Sequence, residues 1–318
     1  MNIDCLSAGI LVADHLCAPI PHLPEAGQLV LSDELPLTTG GCACNAAMDL
    51  ARVGVKVGVV GCVGRDPFGR FIIDTLSEQG VETSRIGELE SVPTSGTLII
   101  NVRGQDRRFI HTIGANAAFT AEHIRREDVL RAKVLYVGGY LLMSGLTQEG
   151  LREVFADARR HGVKTVLDVV LPGPGDHWRQ FDKLLAETDV FLPNTDEAAA
   201  ITGLKDPVQQ AERFRAAGAG TVVITCGGDG TILLSDKLRL RAGAYPLPFV
   251  GGTGAGDAFD AGYIAGLLNG EDARGCLRWG SALGASCVRA VSATESVFTR
   301  DEAEAFMREN ELKIKEFF

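Results

Sequence analysis

The sequence predicts an α/β protein: a doubly wound, mostly parallel β-sheet flanked by helices, with a small β-sheet lid. Three observations predict it. Short β-rich apolar runs alternate with helical stretches along most of the 318 residues, the pattern of βαβ units that wind helices onto both faces of one sheet. Glycine-rich segments recur where the predicted strands end, which is where such sheets hold ligands. Two segments, about 15–37 and 95–113, belong to no βαβ unit, and a discontinuous lid over the C-terminal edge of the sheet fits them. The chain reads as one domain over residues 1–318.

Composition narrows the class. Apolar content of 46%, charged content of 23% and a net charge of −10 describe a globular protein with an ample core. The acidic balance without a Lys/Arg-rich run argues against nucleic acid and anionic membrane as partners. The longest apolar runs, Val59 to Val63 and Val134 to Val137, are strand-length, far short of the roughly 18 residues of a membrane span. Met1-Asn-Ile-Asp lacks the basic start of a signal peptide, so a cytoplasmic protein is expected. Of the eight cysteines only Cys42 and Cys44 are close, and without a second ligand pair reduced, buried thiols are the expectation rather than zinc.

In chain order, Asp4 to Leu11 reads as a buried strand running on into Val12-Ala-Asp14-His15. Gln28 to Asp33 alternates weakly and suggests a strand outside the main sheet. Thr38-Thr-Gly40-Gly41 opens a helix to about Val53. Val55 to Gly61 is a strand, and Gly64 to Gly69 a turn into a helix ending near Gln79. Gly96 to Val102 and Arg108 to Thr112, joined by Arg103-Gly-Gln-Asp106, form a hairpin. The alternation then continues with strand Val134–Val137, helix Thr147–Arg160, strand Thr165–Val170, helix near Trp178–Ala186 and strand Val190–Leu192. A helix starts at Asn194, Val222 to Thr225 and Thr231-Ile flank a Gly-rich turn, and helices are expected over the stretch ending at Leu268 and over Ala273–Arg289.

The chemistry concentrates in Gly251-Gly-Thr-Gly-Ala-Gly-Asp257, which passes directly into a helix. A glycine-rich loop opening a helix leaves backbone N–H groups unpaired at the positive end of the helix dipole, which makes an anion site. Asp257 lies among those donors. A carboxylate there would repel a phosphate that was only to be held, so it points to chemistry, although Asp is also a common helix cap. The spacing matches neither the dinucleotide fingerprint nor the P-loop.

Elsewhere, Gly40 and Gly41 would let a ligand approach the backbone, and Asn45, one turn into the helix, offers a polyol both donor and acceptor. A plain turn with a polar helix start is the alternative. Asn194 and Glu197 are three apart, on one helical face. They form either a capping box or a pair of oxygen ligands for a metal that keeps most of its waters.

Thr253-Gly-Ala-Gly-Asp-Ala-Phe259, followed by Ala261-Gly262, resembles the C-terminal signature of the ribokinase, or PfkB, family of sugar and nucleoside kinases. Gly40-Gly41 with Asn45, Gly64-x-Asp66-x-Phe-Gly69 and Asn194-x-x-Glu197 resemble its other motifs, so the likeness covers most of the chain. The resemblance implies a ribokinase-like fold and ATP-dependent phosphorylation of a hydroxymethyl group on a small sugar. In that scheme Asp257 is the base and the backbone of Gly254, Ala255, Gly256 and Asp257 is the anion hole. Asp14, Gly40, Gly41 and Asn45 bind the sugar, Asn194, Thr225, Gly227 and Gly230 the nucleotide, and Glu197 the Mg²⁺. Asp168, at a strand end, is either a residue behind the metal's waters or a satisfied polar group.

Two positions depart from the family pattern. Gly251 stands where an Asp usually contributes to a monovalent-cation site, which puts K⁺ activation in question, and Val291-Ser-Ala293 replaces a Gly-Ala pair. A nucleoside kinase of the same family and a non-catalytic sugar- or nucleotide-binding protein remain open. A nicotinamide enzyme lacks its fingerprint glycines. Exposed lid edges would allow a homodimer.

Overall fold

A computed structural model describes residues 3–105 and 107–318; Met1, Asn2 and Asp106 of the expected hairpin turn lie outside the described residues. The first strand, β1 (Cys5–Gly9), is shorter than expected. The Asn116 side chain takes over at Leu11, accepting from its N–H at 3.1 Å and donating to its carbonyl at 3.0 Å. The ladder therefore breaks, and β2 (Val12–Ile20) enters a different sheet. The strand expected over Gln28–Asp33 is absent. Leu29 and Leu31 point to solvent, 80% and 82% exposed, so that alternation has no face to bury.

The chain continues through β3 (Leu37–Gly40), α1 (Cys42–Arg52), β4 (Val57–Gly64), α2 (Pro67–Glu78), β5 (Glu82–Leu89), β6 (Gly96–Val102) and β7 (Arg108–Thr112). Next come α3 (Arg126–Val129), β8 (Val134–Gly138), α4 (Gln148–Arg160), β9 (Lys164–Leu167) and β10 (Val190–Phe191). The helix expected over Trp178–Ala186 is replaced by two short 3₁₀ turns, Trp178–Gln180 and Leu185–Glu187. Phe181, Leu184 and Leu185 anchor that stretch in the core over too few residues to sustain an α-helix. The remainder is α5 (Thr195–Thr202), α6 (Pro207–Ala216), β11 (Thr221–Thr225), β12 (Thr231–Ser235), β13 (Arg239–Ala242), α7 (Ala255–Leu268), α8 (Ala273–Cys287), α9 (Arg300–Glu309) and β14 (Ile314–Glu316).

The large sheet has the order β14-β13-β12-β11-β10-β9-β8-β1-β4-β5. It is parallel from β5 to β11 and antiparallel from β11 to β14. Side chains alternate across it. Cys5, Val134, Tyr136 and Val223 enter the core shared with α1, α7 and α8, whereas Leu6, Leu135, Val137 and Val222 enter the core beneath α4, α5 and α6. Burial on both faces explains the continuous apolar runs in the sequence. The sheet is mostly parallel and doubly wound, as the alternation predicts.

A second, four-stranded sheet has the order β3-β2-β6-β7. It gathers the two segments that fit no βαβ unit, with β2 and β6 parallel and both outer pairs antiparallel. Asp66 caps α2 through Gly69 N–H at 2.8 Å and also accepts from Thr94 N–H at 2.8 Å, so the Gly64–Gly69 motif has a structural job. Among the described residues, no helix is long and apolar enough to cross a membrane.

Candidate active site

The site lies where β2, the start of α1 and the start of α7 meet. Gly254 takes the left-handed conformation, φ 77°, at the N-cap of α7. A Cβ at that position would also stand 2.4 Å from the Ala293 carbonyl oxygen, so both dihedral and space call for glycine. The N–H of Ala255 leans back toward the Gly252 carbonyl at a long 3.4 Å. Gly256 is exposed, with open space around it, so the cradle is open to a ligand at that residue.

Asp257, in the first turn of α7, faces into the site. Its Oδ2 accepts a 2.7 Å hydrogen bond from Asn45 Nδ2 on α1. Burial raises the Asp257 carboxyl above its ordinary range, and the Asn45 and Cys42 donors work against that rise. The Cys42 thiol and the Asp168 and Asp257 carboxylates offer ligand atoms all within 4.8 Å of one another. The thiol partner is Cys42, buried at the helix start; Cys44 takes no part in this group. Asp168 sits just past β9 and accepts from Gly139 N–H at 3.2 Å. Next to it Asp260 accepts from the Tyr136 hydroxyl at 3.0 Å. Burial pushes both carboxyls well up, with Glu197 the next cause at Asp168 and Asp168 the next at Asp260.

On the other side of Asp257, Asp14 lies on β2, paired in register with Thr38 and Thr97. A Cβ on Gly40 would stand 2.0 Å from Asp14 Oδ2, and one on Gly41, φ 91°, 2.4 Å from the Ile10 carbonyl oxygen. The paired glycines therefore let β3 close against the Asp14 side chain. Burial holds the Asp14 carboxyl up at about 6, the Thr97 hydroxyl pulling against it and the Asp257 charge adding to the rise. Asp14 Oδ1 and Asn45 Oδ1 are buried acceptors without a hydrogen-bond partner. Two buried oxygen acceptors beside one carboxylate suit the hydroxyl donors of a polyol.

Asn194 and Thr225 meet across a parallel bridge between strand ends. Asn194 Oδ1 accepts from Asp196 and Glu197 N–H at 3.0 and 2.9 Å, and Asn194 N–H donates to Glu197 Oε2 at 2.9 Å. The capping box anticipated as the alternative is therefore formed. It engages Oε2 of Glu197, whose carboxyl burial pushes up to about 7, the Asn194 N–H pulling it down and the Asp257 charge adding to the rise. Gly227 and Gly230 have φ of 55° and 92°, and a Cβ on Gly230 would stand 2.0 Å from the Ala242 carbonyl oxygen. Asn194, Thr225, Gly227, Gly230, Ala255 and Gly256 all line one open cleft of about 1220 Å³. Asp14, Gly40, Gly41 and Asn45 are absent from its wall, so the residues expected to bind sugar stand outside the cleft lined by those expected to bind nucleotide.

Sequence reasoning missed the segment 243–249, which walls the cleft with Tyr245, Leu247 and Phe249, and it missed Cys42 beside Asp257. Ser281, Ala285 and Val288, of and just after α8, line the same cleft. Gly251 has a local reason. A Cβ there would stand 3.0 Å from the Ala290 carbonyl oxygen, because the backbone N–H groups of Val250 and Gly251 both bond to the Val288 carbonyl at the end of α8.

A doubly wound α/β fold with a glycine-rich loop opening a helix and a carboxylate in that helix's first turn is the arrangement expected of a phosphotransferase. The family model for pfkB family carbohydrate kinases matches residues 5–300, and the chain belongs to that family of sugar kinases. It is 27% identical to a ribokinase of Haemophilus influenzae over 305 residues, covering 94% of this chain and 96% of that protein. It is 28% identical to a 5-dehydro-2-deoxygluconokinase of Geobacillus thermodenitrificans over 321 residues, covering 96% and 93%. The fold matches Arabidopsis thaliana ribokinase complexed with ribose and ATP, with TM-score 0.82 and 21% identity over 97% of this chain and 99% of the other. It also matches an Escherichia coli structure holding ATP and Mg²⁺, with TM-score 0.80 and 21% identity over 97% and 100%.

Proposed function

We propose that this sugar kinase transfers the γ-phosphoryl group of ATP to a hydroxymethyl group of a small sugar, with Asp257 as the base. The observation that carries the reading is the position of Asp257, in the first turn of α7 between the nucleotide-sized cleft and the two unpartnered acceptors on Asp14 and Asn45. A hydroxyl bound by Asp14 and Asn45 places its oxygen next to the Asp257 carboxylate. The O–P bond forms, the bond to the leaving ADP breaks, and the hydroxyl proton passes to Asp257. The helix dipole that favours phosphate also favours the Asp257 anion and weakens it as a base. That cost is small where the transition state is loose and the proton leaves late, so that positioning counts for more than basicity.

The N–H groups at the start of α7 take up charge on the transferred group. Asn194, Thr225, Gly227 and Gly230 would hold the nucleotide. Glu197 and Asn194 would order the waters of Mg²⁺, which would supply positive charge to neutralise the phosphate oxygens. Asp168 and Asp257, with carboxylate oxygens within 4.8 Å of each other, suit a divalent cation, and the Glu197 charge adds to the rise at Asp168. The four-stranded sheet would act as the lid that excludes water, and its exposed apolar residues, Leu98 and Ile110 among them, would suit pairing with a second copy.

The test is ADP release over a panel of pentoses, hexoses, sugar acids and nucleosides, with Asp257→Asn as the control. Turnover with one sugar and its loss in the variant supports the reading. Turnover with nucleosides alone moves the acceptor class. Nucleotide and sugar binding without ADP release would leave a non-catalytic binding protein.

A further inference from the structure

At the tip of the β6–β7 hairpin, Arg103, Gly104, Gln105, Arg108, Phe109 and Ile110 are exposed, but Arg107 is half-buried. Its guanidinium stacks over the Phe109 ring, 5.5 Å from the centroid. The two terminal nitrogens lie 3.6 and 3.7 Å from where a Cβ on Gly252 would stand. The same charge reaches the far side of the loop: burial raises the Cys287 thiol, and Arg107 works against that rise. Gly252 lines the cleft and precedes Gly254 by two residues, a span of at most about 7 Å. A cation from the small sheet therefore rests on the loop that leads into the phosphate cradle.

The surroundings make that charge consequential. Asp14, Asp168, Asp257, Asp260 and Glu197 converge on the site, and a triphosphate brought there with its metal still meets an acidic surrounding that the backbone donors must help to offset. A guanidinium presents planar, forked donors matched to phosphate oxygens. Resting on the reading proposed above, we infer that Arg107 contacts the terminal phosphate of the bound nucleotide, so that seating of the small sheet over the cleft delivers the cation on which phosphoryl transfer depends. Gly252 is the complementary feature, because a Cβ there would already touch the guanidinium at van der Waals distance and a branched side chain would reach into its place.

The experiment compares Mg²⁺-AMP-PNP and Mg²⁺-ADP binding by calorimetry in wild type, Arg107→Gln, Arg107→Lys and Gly252→Val. Loss of a charge-assisted contact to the third phosphate weakens AMP-PNP binding by about 10–100-fold in Arg107→Gln, with ADP affinity within about threefold and melting temperature unchanged. Arg107→Lys recovers part of the difference. Gly252→Val, which leaves Arg107 in place but blocks its approach, shows the same selective loss. Affinities for both nucleotides that stay unchanged, or fall equally, in Arg107→Gln overturn the inference. A wild type that binds AMP-PNP through Arg107 yet phosphorylates no sugar defeats the functional reading and leaves this one standing.

Discussion

Asn45 Nδ2 on α1 lies 2.7 Å from Asp257 Oδ2 on α7, so the residue expected to hold a sugar hydroxyl also orients the expected base. The bond favours the carboxylate, against the burial that raises it. Replacing Asn45 by Ala removes that donor. The acidic limb of the kcat/KM profile should then move to higher pH, with a lower plateau. A limb that stays in place would show that Asp257 does not set it.

Asp257→Asn keeps the shape of the side chain and removes its basicity. The expected fall in kcat is about 10²–10⁴, with nucleotide affinity nearly unchanged. Steady-state assays with the true acceptor check it, and an intact kcat would sink the assignment.

Glu197 can be separated from its cap. Gln at 197 still accepts from Asn194 N–H, so the helix should keep its stability, but the negative charge is gone. The Mg²⁺ requirement should rise while the melting temperature holds. An unchanged Mg²⁺ titration would remove Glu197 from the metal's surroundings.

Asp14, held up at about 6 by burial, gives a pH signature. Its folded value lies above the unfolded one, so its contribution to the stability of the ligand-free protein is complete at low pH and is lost as pH rises through about 6. Sugar binding, which uses the ionised acceptor, should strengthen over the same interval. Both trends should flatten in Asp14→Asn, followed by thermal melts and by sugar titration across pH.

Asp49, one turn beyond Asn45 on α1, is fully buried with both carboxylate oxygens unpartnered. Replacing it by Asn or Leu should stabilise the fold by about 1–3 kcal/mol, measured by chemical denaturation. A destabilised variant would mean that Asp49 has a partner that matters.

Much of the site was legible in the sequence because local chemistry dictates it. Gly254 is required by its dihedral, and Gly40, Gly41 and Gly230 by approaching backbone or side-chain atoms. Such demands leave glycine-rich signatures that survive as one-dimensional patterns. The βαβ alternation was readable for the same reason, since burial on both faces of a parallel sheet writes unbroken apolar runs.

The remainder depended on partners distant in the chain. Asn116 ends β1 by bonding to Leu11, and no property of residues 4–15 announces that the strand will divide between two sheets. Gln28–Asp33 has the alternation of a strand and no face to bury. Cys42 reaches Asp257, and Arg107 reaches Gly252, across separations that leave no periodic trace. The sequence by itself determined the sheet, the cradle and its carboxylate, because these follow from backbone conformation and short-range pattern. Which charges converge on that carboxylate was decided only by tertiary packing, because electrostatic and hydrogen-bonding neighbours are set by distance in space.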